Sequence, residues 1–102
     1  MRYDNIYYVN IIEDSTNILN NVYGKVKLEI DKINLIFFYG CNLDFNQKLL
    51  IKNIVNINSY DKHINLQTAI KNQSEKYSRN LLIEFTCENK MNVFKETLKL
   101  FQ

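Results

Sequence analysis

Proline is absent from this 102-residue chain, and glycine occurs only at Gly24 and Gly40. A phosphate-cradling loop needs several glycines leading into a helix, so these two, neither followed by a helix pattern, exclude a nucleotide-binding loop. Turns must then fall to other residues, and the abundant asparagines tolerate the left-handed conformations that glycine usually supplies. Histidine appears once, at His63, and the two cysteines, Cys41 and Cys87, lie far apart. That set has neither the number nor the spacing of a metal site, so no metal and no cofactor is expected. A disulfide framework is equally absent, and two reduced thiols in a cytoplasmic protein are the expectation. The net charge of +2 is too small to imply nucleic acid or an anionic membrane. No apolar run approaches the roughly 20 residues of a membrane span. The opening Met1-Arg2-Tyr3-Asp4-Asn5 lacks the apolar segment of a signal peptide.

Hydrophobic residues make up 46% of the chain and charged residues 24%, which suits one folded domain over residues 1–102 with a single core. The bias toward Asn, Ile and Lys is what an AT-rich, low-GC genome or its phages would encode.

Residues 6–12, IYYVNII, are β-branched and aromatic and suit a strand. Residues 13–17, including the acidic pair Glu13-Asp14, read as a solvated turn. In residues 25–31 Val26, Leu28 and Ile30 alternate with charges, which puts one face inside. Ile33, Leu35, Phe37 and Tyr39 alternate again after a short polar break, so the two runs form a hairpin. Ile36 and Phe38 give the second strand an apolar character on both faces. Residues 41–47 read as a loop. Residues 48–58 read as one longer strand, with Asn53 at a bulge. Residues 63–70 alternate cleanly, residues 71–78 read as a mobile polar loop, and Leu81, Ile83 and Phe85 share a face of the last strand. The period then changes. Met91, Phe94, Leu98 and Phe101 form a stripe along one side of a helix capped by Glu88 or Asn89. The expected fold is mainly β: a curved antiparallel sheet or partly open barrel of six to seven strands, capped by one C-terminal helix.

The segments GKVKLEIDKINLIFFY (24–39), LLIKNIVNINSY (49–60) and NLLIEFTCENKMNVFKETLKLF (80–101) carry a likeness to a known family. Their order of hairpin, strand, last strand and terminal helix resembles the pleckstrin-homology-like superfold, and more narrowly the bacterial pleckstrin-homology and GRAM-type domains. The resemblance implies a barrel-like sheet plugged at one end by the helix, and a binding rather than a catalytic role. Some members bind phosphoinositides through basic residues of the first hairpin. Here the matching positions are Lys25, Lys27 and Lys32, with Glu29 and Asp31 offsetting their field.

Catalysis has little to build on. His63 stands beside Asp61 and Lys62 with no Ser, Cys or acidic partner announced by a local motif, so it reads as a surface histidine at a turn. Aromatic residues are plentiful, but most fall on core positions and lack an aromatic-basic motif, which argues against nucleic acid. Tyr7, Tyr8, Tyr60 and Tyr77 fit a core less readily, and tyrosine suits protein interfaces. A non-catalytic module that binds a protein partner is therefore the leading expectation, with a homodimer through a bare strand edge as one form of it. Binding of an anionic lipid headgroup at a membrane surface is an alternative, and so is inhibition of a host complex by a phage or plasmid protein.

Overall fold

The computed structural model describes residues 5–20, 25–72 and 75–102, and the side chains of residues 70–77 lie outside that description. Seven antiparallel strands form one curved, unclosed sheet: β1 (Ile6–Asp14), β2 (Val26–Asp31), β3 (Asn34–Tyr39), β4 (Phe45–Leu50), β5 (Ile54–Tyr60), β6 (His63–Asn72) and β7 (Glu75–Glu84). One helix, α1 (Glu88–Leu100), follows. The spatial order is β4-β3-β2-β1-β7-β6-β5, so β4 and β5 are the edges.

β1 is the joint of the sheet. Its first half pairs with β2, from Ile6↔Glu29 to Val9↔Val26. Its second half pairs with β7, from Asn10↔Glu84 to Asp14↔Leu81. Between Ile11 and Glu13 the register shifts, and the extra residue, Ile12, bulges outward. A bulge inserts one residue, so the side-chain parity changes. Before it Tyr7 and Val9 point inward, and after it Asp14 does.

The hairpin of β2 and β3 forms as its alternation requires. Val26, Leu28, Ile30, Leu35 and Phe37 are all buried, and Lys32 occupies the turn with a φ of 50°. Ile36, on the other face of β3, is also buried. Two expectations are corrected next. Phe45, Asn46 and Gln47, read as loop, begin β4 and pair with β3 down to Tyr39↔Phe45. Residues 48–58 are not one strand. A single turn of 3-10 helix, Ile51–Asn53, interrupts them and separates β4 from β5, and the bulge falls within β5 between Ile54 and Asn56 rather than at Asn53. Buried Ile51 anchors this corner, and its N–H donates to the Ile33 carbonyl at 2.9 Å.

Residues 71–78, read as a polar loop, mostly continue the β6–β7 hairpin, with pairs out to Lys71↔Lys76 and Asn72↔Glu75. Backbone pairing carries the strands onward where apolar alternation has ceased. Residues 73 and 74 lie outside the described ones.

α1 buries Met91, Phe94 and Leu98 against the sheet, about 2 kcal/mol of transfer free energy for each side chain. Thr97 is buried too, its hydroxyl donating back to the Val93 carbonyl at 2.7 Å. Phe101 does not join the stripe. It ends the helix and stays 42% exposed. The helix start is also one residue earlier than read. Cys87 is the N-cap and makes no side-chain cap, while Glu88 lies in the first turn, where a carboxylate meets the positive end of the helix dipole. Tyr7, Phe85 and Phe94 lock helix to sheet, with ring centroids 5.0 to 5.7 Å apart and Tyr7 edge-on to both phenylalanines.

Among the described residues no helix is long and apolar enough to cross a membrane. None of them form a group of three or more His, Cys, Asp or Glu that could hold a metal ion.

Candidate functional site

The edge strand β5 and the polar row that ends on it form the candidate site. β5 pairs only with β6, and its other backbone edge makes no hydrogen bond to another strand among the described residues. Val55, Asn56, Asn58 and Tyr60 are exposed along it, Val55 and Tyr60 by more than half. α1 runs beside this strand. The Lys95 ammonium donates to the Ser59 hydroxyl at 2.9 Å, and the Gln102 amide reaches the Ile54 carbonyl at 3.4 Å.

Antiparallel register brings four residues from four strands into one transverse row. Tyr60 opposes His63, His63 opposes Glu84, and Glu84 opposes Asn10. The row is bonded side chain to side chain. Asn10 donates its amide to Glu84 Oε1 at 3.1 Å, and His63 Nε2 lies 3.2 Å from Glu84 Oε2. Tyr60 stacks on the imidazole at 5.1 Å, nearly parallel. The Asn10 amide holds the Glu84 carboxyl below the usual glutamate range against partial burial, and the charges of Lys62 and His63 add to the effect.

His63 Nδ1, on the other side of the ring, is buried with no hydrogen-bond partner among the described residues. Asn65 Oδ1, two residues along the same strand face, is in the same condition. The row thus positions an imidazole between an aromatic ring and a carboxylate, and among the described residues no Ser, Thr or Cys side chain is hydrogen-bonded to the imidazole. It orients polar groups for contact. His63 is only about one-fifth exposed, so it is not the open surface histidine that the sequence suggests. Its partners were illegible because Asn10 and Glu84 are far from it in sequence and meet it only through strand register.

The tyrosines divide. Tyr8 and Tyr60 are more than half exposed, as a binding surface requires. Tyr7 is corrected: at 3% exposure it is a core ring against Phe85 and Phe94 and cannot meet a partner. The Tyr77 side chain lies outside the described residues, and its backbone pairs with Ile70 in the β6–β7 hairpin. Tyr8 and Tyr60 are not brought into contact, since Tyr8 sits on the β2-paired half of β1.

The three lysines do not converge either. Lys25 precedes β2 and Lys32 follows it, so six strand residues, about 20 Å, separate them. Lys27 lies between them over the Phe38 ring, 5.0 Å from its centroid. Lys25 instead lines a hollow of about 260 Å³ with Tyr8, Asn10, Lys62 and Glu84.

A second polar node was missed altogether. Asp14, read as part of a solvated turn, is only 1% exposed. Its carboxylate accepts from the Thr16 N–H and hydroxyl, from the Leu19 N–H at 2.9 Å, and from Arg79 Nε and Nη2 at 3.0 and 2.8 Å. Burial alone would raise its pKa, but the Arg79 guanidinium and the Leu19 and Thr16 donors prevail and hold it at about 2. The Asn20 amide closes the loop by bonding both backbone groups of Asp14. Asn17 takes a left-handed φ of 63° there, the conformation expected of asparagine in a chain short of glycine.

No protein-family model matches the chain, and no curated protein matches it.

Proposed function

We propose that the protein is a non-catalytic binding module of the pleckstrin-homology or GRAM type, and that its ligand is a protein segment that adds to β5 as a further strand. The observation that carries this reading is the bare backbone edge of β5 with Val55 and Tyr60 exposed along it. Free N–H and C=O groups on such an edge accept a partner's backbone, while the alternate side chains supply selectivity. Tyr60 suits this role because its ring is held in place by His63, so little rotamer freedom is lost on binding. The seven-strand order ending in one capping helix supports the likeness to that family. The scattered positions of Lys25, Lys27 and Lys32 give the lipid-headgroup reading no comparable support.

A photo-crosslinking residue placed at Asn58 in the living cell tests the reading, with the same residue at Asn46 on the opposite edge as control. A discrete protein adduct from position 58, lost on Tyr60→Ala and absent from position 46, is expected. Equal labelling from both edges, or a turnover activity abolished by His63→Ala, would overturn it.

A further inference from the structure

The sheet does not close between its two edge strands, and a cleft of about 300 Å³ opens on that side. Lys48, Leu49 and Leu50 of β4 and Asn53 of the following turn form one wall. Thr68 of β6 with Ser78 and Arg79 of β7 form the other, and Thr16 completes the lining. The volume is at the lower end of the range for small-molecule sites, about 300 to 1,000 Å³.

The polar groups here are donors in search of an acceptor. Thr68 lines the cleft with only 3% of its surface exposed. Its hydroxyl can donate to an acceptor that enters the cleft. Arg79 gives Nε and Nη2 to Asp14, and Nη2 also donates to Gln47 Oε1. Its Nη1 bonds no side chain among the described residues. Asp14 therefore fixes the guanidinium in one orientation while leaving one of its nitrogens free, an arrangement made before any ligand arrives. Lys48 adds a second cation. The Asp14 carboxylate, engaged by Thr16, Leu19 and Arg79, does not line the cleft. Leu49 and Leu50 supply an apolar surface beside these donors.

We infer that this cleft binds a small amphiphilic anion. Its carboxylate or phosphate head accepts from Arg79 Nη1, Lys48 Nζ and the Thr68 hydroxyl, and its short apolar chain lies on Leu49 and Leu50. The inference is independent of the β5 edge, which faces a different set of residues.

Titration of the ¹⁵N-labelled protein, followed by two-dimensional NMR, tests it with four probes: sodium hexanoate, hexyl phosphate, inorganic phosphate and 1-hexanol. At least one of the two amphiphilic anions should give saturable shifts centred on Thr68, Ser78 and Arg79. The tighter of the two identifies the head group. Inorganic phosphate and 1-hexanol should bind at least about tenfold more weakly, since each lacks one half of the contact. Lys48→Gln, an exposed position with no fold to lose, should weaken the anion by about tenfold through loss of a charge-assisted bond. Thr68→Val keeps the shape of the buried side chain, and the spectrum itself reports whether the sheet is intact. Shifts that stay linear, that ignore both Lys48→Gln and Thr68→Val, or that 1-hexanol reproduces at equal concentration would overturn the assignment.

Discussion

Replacing Asp14 by asparagine removes one negative charge and almost no volume. The effect should depend on pH in a way that the structure fixes. In the folded protein the carboxyl titrates at about 2, against an ordinary value of 3.8. At 1.36 kcal/mol per unit this difference is worth about 2.5 kcal/mol of stability. The folded value is the lower one, so the contribution is complete above the unfolded value. It fades as pH falls from about 5 through about 2. The substituted amide cannot titrate and lacks this window. At pH 7 it also leaves the mostly buried Arg79 guanidinium without its counter-charge, for a total cost of about 2–4 kcal/mol. In a domain of this size that lowers Tm by roughly 10–20 °C. Urea unfolding followed by far-ultraviolet circular dichroism, at pH 7, 5, 3 and 2, measures both terms. The gap between wild type and Asp14→Asn should be widest at pH 7 and shrink by about 2 kcal/mol by pH 2. Two stability curves that stay parallel through the acid range would refute the account of Asp14 as a buried, ionised partner of Arg79.

Four further outcomes can be measured. Phe94→Ala empties the contact between Tyr7 and Phe85 and should cost about 3–5 kcal/mol in denaturant unfolding. Gly40→Ala forces a side chain onto a φ of +97° and sets its Cβ 2.7 Å from the Phe45 ring, so a loss of about 1–2 kcal/mol is expected, part of it relieved as the exposed ring swings away. The Glu84 carboxyl should titrate below the usual glutamate range by ¹³C NMR, and Asn10→Ala should move its midpoint upward; an unmoved midpoint would dismiss the amide as the cause. Cys41 and Cys87 are both exposed and free, so the native protein should consume two equivalents of a thiol reagent without denaturant.

The parts of the fold legible in the sequence were those written in side-chain period. Val26, Leu28 and Ile30 against Lys27 and Glu29 could form only a half-buried strand, and Met91, Phe94 and Leu98 only a helix face. The terminal helix and the antiparallel sheet follow from these. Period fails where polarity does not vary with burial. β4 opens with Phe45, Asn46 and Gln47, exposed or nearly so, and its pairing to β3 leaves no trace in residue type. The far end of the β6–β7 hairpin is hidden for the same reason. The break at Ile51–Asn53 was masked because a short helical turn with one buried isoleucine has the polarity of a strand. The site residues were less legible still. Tyr7 is indistinguishable in kind from its neighbour Tyr8, and only the parity of β1 sends one inward and the other out. Asp14 owes its burial to the bulge at Ile12, which no residue type announces. Arg79 and Asp14, like His63 and Glu84, are neighbours by topology alone.

The bulged first strand has a consequence for synthesis. The ribosome delivers about 5–20 residues each second. Residues 6–9 can find β2 soon after they emerge, whereas residues 10–14 must wait for the much later β7. Until then the second half of β1 is an open ribbon, and its aspartate is hydrated rather than paired. Completion of the sheet therefore waits until the seventh strand has been made, and a ribosome stalled in the sixth strand would present a nascent chain with its central seam unstitched.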